Sequence, residues 1–384
     1  MSQPTRQTLL ATQSEPEKAL LVGVETKAFD HGWSIDSSLE ELYYLAQTAG
    51  AEVVGRLSQR LDRPSATHYL GRGKLKELIG LRQECPYTTV IFNDELAPRQ
   101  QRNLEDALEV KVIDRTALIL DIFAKRAQTR EGQLQVELAQ HQYLLPRLLG
   151  QWSHLERLGG GIGTRGPGES QLETDRRLIR NRIHRLQHQI EAVRRHRALY
   201  RRQRQKGHIP VVALVGYTNA GKSTLLNVLT RADVPVEDKL FSTLDPVARR
   251  LVLSDKQQCL LTDTVGFIHK LPPSIVAAFR ATLEELTEAD LLLHVVDIRH
   301  DNAAEQFQTV EEILADLHLE GKVRITVLNK MDLVMKTQEE LVALAIPLKL
   351  PDETTVAVSA LKGWALDKLL GRIAVCLRQT STVA

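Results

Sequence analysis

The hydrophobic pattern divides the chain into three stretches of different character. Between residues 19 and 130, short apolar runs at 20–24, 52–57, 89–93 and 110–113 alternate with helix-period segments at 39–49, 74–82, 99–108 and 117–127. Strand-then-helix alternation of this kind predicts a small parallel α/β subdomain. From 131 to 208 the pattern changes. Leu134, Leu138, His141, Leu145 and Leu148 recur at steps of four and three. Leu172, Arg176, Ile179, Ile183, Leu186, Ile190, Val193, Arg197 and Tyr200 do the same after a Gly-rich break. Two seams of that period predict an antiparallel helical hairpin, with Arg176 and Arg197 interrupting the second seam and leaving its ends exposed. The break, 158–171, is too rich in glycine to form a regular element and is expected to be a loop at the tip.

The third stretch, 209–378, again alternates. Strands are expected at 210–215, 249–254, 258–263, 291–297, 323–328 and 354–358, and helices at 223–231, 274–287, 303–318, 337–344 and 364–377. The pair of strands flanking Asp255 and Lys256 predicts a hairpin and hence a mixed sheet, with helices on both faces. Residues 1–18 and 379–384 are expected to be tails.

Composition adds limits. A chain of 384 residues with 43% hydrophobic and 26% charged content is of globular type. It has no apolar run near the roughly 20 residues that span a bilayer, which predicts no membrane insertion. The start lacks a secretory pattern, and Cys85, Cys259 and Cys376 lie far apart without metal-binding spacing, so a reduced cytoplasmic setting is expected. The net charge of +2 conceals an asymmetry: residues 176–206 carry twelve Lys/Arg and one acid, Glu191, leaving the rest of the chain net acidic. A segment with such an excess suits a phosphate-rich partner.

The chemistry is concentrated in the third stretch. GYTNAGKS at 216–223 follows an apolar strand and opens a helix, the context in which two glycines spaced by four residues and followed by Lys-Ser cradle nucleotide phosphates. Lys222 would reach the β- and γ-phosphates, and Ser223 would ligate Mg²⁺. In DTVG, 263–266, Asp263 would hold Mg²⁺ through a water and the Gly266 N–H would face the γ-phosphate. In FSTLDP, Thr243 offers a third Mg²⁺ oxygen. In NKMD, 329–332, Asp332 can accept two hydrogen bonds from an edge that guanine presents and adenine lacks, which selects GTP. Asn329 and Lys330 would brace the loops and cover the base, and SALKG would place a backbone N–H against guanine O6. Lys222, Thr243 and Gly266 are thus the expected catalytic groups. The remaining expected nucleotide contacts are Gly216, Tyr217, Thr218, Asn219, Ala220, Gly221 and Thr224; Phe241, Ser242, Leu244 and Asp245; Thr264 and Val265; and Met331, Val358, Ser359 and Ala360.

This ordered set resembles the translation-factor-related class of P-loop GTPases. Beyond the generic motifs, YLGRGKLKEL at 69–78, DRTALILDIFAKRAQTREGQLQVELAQ at 114–140, GGIGTRGPGESQLETDRR at 160–177, LFSTLDP at 240–246 and DTVGFIHKLPPSIVAAFRATLEE at 263–285 resemble the HflX family. That resemblance implies a GTP/GDP-binding GTPase that acts as a monomer on the large ribosomal subunit, and in some members splits stalled ribosomes. It also implies that the hairpin approaches the peptidyl transferase region, with Arg176, Arg177, Arg180, Arg182, Arg185, Arg194, Arg195, Arg197, Arg201, Arg202 and Arg204 against rRNA phosphates. Many members carry a further small domain after the GTPase domain, which is not expected here. Two other functions stay open at this level: a GTP-regulated protein controlling a protein partner such as a membrane protease complex, and an RNA-remodelling ATPase using the N-terminal region. For the latter, Gly71-Arg72-Gly73-Lys74 before a helix is the weak signal, with a structural turn as the simpler account.

One position departs from many small GTPases. Phe267 stands where a glutamine often orients the attacking water, and a phenyl ring has no group for that task. Slow intrinsic hydrolysis is therefore expected, with stimulation by a ribosome that orders residues 232–250 and 264–280. GTPases with Asn at the position of Asn219 often bind K⁺ beside the phosphates, which makes K⁺ a candidate cofactor.

Overall fold

The computed structural model describes residues 16–26, 33–151, 167–206, 209–232, 239–253, 255–272, 275, 286–336 and 354–383. The first sheet contains β1 (Lys18–Thr26), β2 (Glu52–Leu61), β3 (Thr89–Phe92) and β4 (Lys111–Asp114). They run in the order β2-β1-β3-β4, all parallel. Helices α1 (Ile35–Ala49), α2 (Arg72–Glu84) and α3 (Pro98–Leu108) make the three crossovers, and α4 (Arg115–Arg126) follows the last strand. The predicted alternation holds, with most elements longer than the apolar runs. Helix α1 starts earlier because the Ser34 side chain accepts the Ser37 N–H, and it stops at Gly50, whose φ of 94° is left-handed. Ahead of α2, the Gly71 N–H donates to Gln59 Oε1, and Lys74 pairs with Glu77 at 2.9 Å, so this glycine start is occupied with internal bonds.

Helices α5 (Arg130–Gln151) and α6 (Pro167–Lys206) form the hairpin. Arg197 pairs with Glu131 at 2.7 Å and Arg182 with Glu137 at 2.6 Å, so later residues of α6 meet earlier residues of α5, as an antiparallel pair requires. Two expectations need correction. Helix α6 begins at Pro167, inside the stretch assigned to the loop, because proline is well suited to the first helical position, where its missing N–H is not needed. Arg197 is not a freely exposed seam end but an ion-pair partner, and Arg176 is partly buried. Helix α5 also buries a second face, with Val136, Ala139 and Tyr143 packed against the first sheet's helices. Its small and aromatic residues lie off the leucine stripe and were not read as a seam. The tip at 158–166, most of the expected helix 274–287 and the expected helix 337–344 lie outside the described residues.

The second sheet has the order β10-β9-β8-β5-β7-β6: β5 (Val211–Gly216), β6 (Val247–Val252), β7 (Gln258–Asp263), β8 (Leu291–Asp297), β9 (Arg324–Asn329) and β10 (Thr355–Ala357). Only the β6–β7 pair is antiparallel, which gives the mixed sheet read from the sequence. Helices α7 (Lys222–Thr230), α8 (Ala303–Asp316) and α9 (Leu366–Val383) flank it. Helix α9 runs past the expected end at 377, because the residues after Leu377 contain no glycine or proline to stop it.

The two sheets are not independent bodies. One buried cluster runs from Ala19, Leu21, Leu42 and Phe123 of the first through Phe241, Phe267 and Ile268 to Ala213 and Leu292 of the second. The hydrophobic pattern showed two α/β units; it did not show that they share a core.

Candidate functional site

The phosphate loop joins the C-terminal end of β5 to the start of α7, where the strand order reverses, the place at which open α/β sheets bind ligands. Two of its glycines are obligatory for steric reasons. A Cβ on Gly216 would overlap the Val295 carbonyl, and Gly221 has φ 94° with the Asn329 amide against it. Asn219 is exposed and also left-handed, at φ 60°. The loop, with Thr218, Asn219, Gly221, Lys222, Ser223 and Thr224, opens on a cleft whose other walls are Phe241, Ser242, Thr243, Thr264 and Gly266.

Lys222 is buried, its Nζ donating to the carbonyls of Tyr217 at 2.7 Å and Gly216 at 3.2 Å. Burial pushes it down to about 8 against the opposing pull of Asp263. Asp263 is fully buried, and burial raises its carboxyl even though Lys222 and Ser223 favour the charged form. Each group lacks enough opposite charge around it, which a triphosphate and a divalent cation would supply. Ser223 Oγ donates to Asp263 Oδ2 at 2.6 Å and lies 2.8 Å from Thr243 Oγ1, while Asp263 Oδ1 is buried with no hydrogen-bond partner. Three oxygens from three separate segments meet beside an unsatisfied carboxylate oxygen, a donor set that fits a hard divalent cation. A Cβ on Gly266 would lie 2.8 Å from Thr218 Cα and 3.0 Å from Lys222 Nζ, so this loop approaches the cleft only as glycine.

Other predicted residues act at a remove. The Tyr217 side chain leaves the cleft: its hydroxyl donates to Glu41 and accepts the His269 N–H at 2.6 Å. Arg115, 1% exposed, binds the same Glu41 carboxylate, Asn93 Oδ1 at 3.0 Å and the His269 carbonyl at 2.8 Å. Trp33 stacks on His269 at 4.6 Å, and Lys270 pairs with Asp94 at 2.7 Å. Leu244 and Val265 are buried, and Asp245 points to the start of α5 instead of the cleft. The Phe267 ring is buried in the shared core, while its backbone holds the phosphate loop, accepting from Thr218 N at 2.8 Å and donating to Gly216 O at 3.1 Å.

At the base end, Asn329 Nδ2 donates to the Ala220 carbonyl at 2.9 Å, and its Oδ1 accepts the Ala360 N–H at 3.0 Å, tying three loops together. Lys330 pairs with Asp297 at 2.8 Å, and Asp332 accepts from Ser359 Oγ at 2.6 Å. Met331 is buried, its N–H donating to the Val358 carbonyl at 3.3 Å. Glu41 and Asp297 carried no sequence signal, and Arg115 and His269 fell inside family-resembling segments without an assigned role, because each is a single charged or polar residue far along the chain from its partner.

The chain matches three family models: the N-terminal region of GTP-binding GTPases over residues 36–124, their middle region over 126–204, and the 50S ribosome-binding GTPase model over 211–330. It is 55% identical to the GTPase HflX of Caldanaerobacter subterraneus subsp. tengcongensis over 83% of this chain and 74% of that one. It is 47% identical to the GTPase HflX of Escherichia coli K12 over 77% of this chain and 70% of that one. A crystal structure of a GTP-binding protein from Sulfolobus solfataricus in complex with GDP is 26% identical, covers 94% of this chain and 99% of its own, and superposes with a TM-score of 0.46. Matched along most of its length, the chain belongs to the HflX family of GTPases, enzymes that bind guanine nucleotide and hydrolyse GTP.

Proposed function

We propose that this GTPase binds the large ribosomal subunit through its helical hairpin and dissociates or rescues stalled ribosomes, with GTP hydrolysis setting its release. The observation that carries this reading is the division of labour along α6. Arg182 and Arg197 are spent on Glu137 and Glu131, fixing the helix to α5, and Arg194 pairs with Glu191 at 3.4 Å. Arg177, Arg180, Arg185 and Arg195 remain exposed. Among the described side chains of the arginines assigned to rRNA, these four are the best placed, because a row of exposed guanidinium groups suits a phosphate backbone.

Within the cleft, Lys222 would neutralise the β- and γ-phosphates, the Gly266 N–H would face the γ-phosphate, and Asp332 would read guanine. Mg²⁺ would be held by Ser223, Thr243 and, through water, Asp263; when bound it supplies charge stabilisation at the phosphates. The buried Phe267 ring leaves no polar side chain at the position that often orients water, which supports a slow intrinsic rate raised by the ribosome. Asn219 at the rim, next to the phosphate positions, supports a K⁺ requirement.

Sedimentation through sucrose with a non-hydrolysable GTP analogue tests the partner. One copy per large subunit, lost at high salt, is expected; absence from that fraction at low salt overturns the reading. Light scattering of intact ribosomes tests dissociation: a GTP-dependent fall supports splitting, and an unchanged signal with retained binding limits the activity to association.

A further inference from the structure

Asp245 lies two residues after Thr243 but turns away from the cleft. One carboxylate oxygen accepts the backbone N–H groups of Gln128 and Thr129, each at 2.8 Å, and the other accepts the Thr129 hydroxyl. That hydroxyl also accepts the Gly132 N–H at 3.0 Å. These groups form the entry to α5, where helical N–H groups lack intrahelical partners and favour negative charge. Thr129 therefore caps α5, and Asp245, 117 residues from Gln128 in sequence, holds that cap from outside the helix.

The fit is specific. A Cβ on Gly132 would overlap the Asp245 carboxylate, so the close approach needs glycine inside the first turn of a helix, where glycine is otherwise a poor choice. On the other side of Thr243, Phe241 packs edge-to-face on Phe123 of α4, with ring centroids 4.7 Å apart at 82°. Leu244 is buried in the shared core. The segment that presents Thr243 to Ser223 is thus fastened at both ends to the N-terminal half of the chain, and one fastening is the root of the hairpin.

We propose that Asp245 is a positioning residue for Thr243, and that the N-terminus of α5 is thereby part of the nucleotide switch. Its bond to α5 holds Thr243 beside Ser223 and Asp263, so occupation of the triphosphate site and the placement of the hairpin helix are linked reciprocally. This inference rests on the reading of Ser223, Thr243 and Asp263 as Mg²⁺ ligands.

The test uses the full chain and two readouts: affinity for a fluorescent non-hydrolysable GTP analogue and for GDP across a Mg²⁺ titration, and hydrogen exchange of the segment 126–133. Asp245→Ala should weaken the Mg²⁺-dependent affinity for the analogue about tenfold and leave GDP affinity within about twofold. In the wild type the analogue should slow exchange at the start of α5 relative to GDP, and in Asp245→Ala that difference should vanish. Asp245→Asn keeps an oxygen that can accept the two N–H groups and should retain most of the effect. Gly132→Ala, a better helix former that displaces the carboxylate, should reproduce Asp245→Ala without loss of helix. Unchanged analogue affinity and exchange in Asp245→Ala, or equal weakening of both nucleotides, overturns the positioning role. Wild-type affinity for the analogue that ignores Mg²⁺ overturns the cation reading itself, and with it the route through Thr243.

Discussion

The hydroxyl of Tyr217, in the phosphate loop, donates to the carboxylate of Glu41, on a helix of the N-terminal sheet. Glu41 is held on its other oxygen by Arg115, and both are buried. The loop that cradles phosphate is therefore anchored by a charge pair from the other half of the chain. Removing one member leaves its partner's charge buried and uncompensated, so Glu41→Ala should cost about 3–5 kcal/mol of stability. Tyr217→Phe leaves that pair intact but strands the His269 N–H, and should cost about 1–3 kcal/mol. Denaturant unfolding of the full chain measures both, and the order of the two variants is the discriminating result.

Base choice should depend on Asp332. Its Oδ1 is oriented by Ser359 Oγ at 2.6 Å, and replacing the acceptor with an amide mispairs both guanine donors. Asp332→Asn should lower GTP affinity by about 100-fold or more and raise affinity for xanthosine triphosphate, as two charge-assisted hydrogen bonds of about 1.5–3 kcal/mol each require. Competition against a fluorescent guanine nucleotide checks this. Undiminished GTP affinity would remove Asp332 from the base site.

The hairpin separates two classes of arginine. Charge reversal at Arg180 and Arg185, both exposed, should weaken large-subunit binding and reduce its dependence on log salt by roughly 0.9 per lost phosphate contact, with basal GTP hydrolysis unchanged. Reversal at Arg182 and Arg197 should instead loosen α5 from α6, seen as lower thermal stability without ribosomes. Equal effects of the two pairs on ribosome binding and on stability would show that the exposed row has no separate role.

Hydrolysis should respond to K⁺ through Asn219. The wild type should turn over faster in KCl than in NaCl at equal ionic strength, and Asn219→Ala should abolish the difference while retaining nucleotide. Equal wild-type rates in both salts, with and without ribosomes, would dismiss K⁺ as a cofactor.

Acid should destabilise the second sheet through His294. The ring is buried, stacked on Phe307 at 4.6 Å, with Nδ1 at 3.1 Å from Glu311, and burial lowers its pKa from 6.5. The unfolded chain binds a proton near that ordinary value while the folded chain does not, so stability falls as pH drops below about 6.5. Glu311, held below the usual carboxylate range by His294 and Arg324, adds a further loss at lower pH. His294→Gln should flatten the slope of unfolding midpoint against pH between about 7 and 5; an unaltered slope would mean that His294 is not the group responsible.

The nucleotide motifs were legible in the sequence because their chemistry is local. A glycine turn between a strand and a helix, an Asp-x-x-Gly at a strand end and an Asn-Lys-x-Asp at the next are each defined within a few residues, and parallel topology then brings the strand ends to one edge. The alternation of apolar runs likewise determined both sheets, and the stepped leucines determined the hairpin. What the tertiary structure decided was everything carried by isolated side chains acting across distance. Glu41 has no pattern around it, and Arg115 lies in a family-resembling segment that assigns it no role; they became part of the phosphate loop's support only because the two sheets share a core. Asp245 falls within a nucleotide motif whose pattern predicts a ligand contact, yet its carboxylate holds Gln128 and Thr129 at the entry to α5. Arg197 was counted in a basic run, yet its charge is matched by Glu131. Local pattern fixes which way a segment winds and which face is apolar, while the partner of a single charge is set by what folding brings within about 3 Å of it.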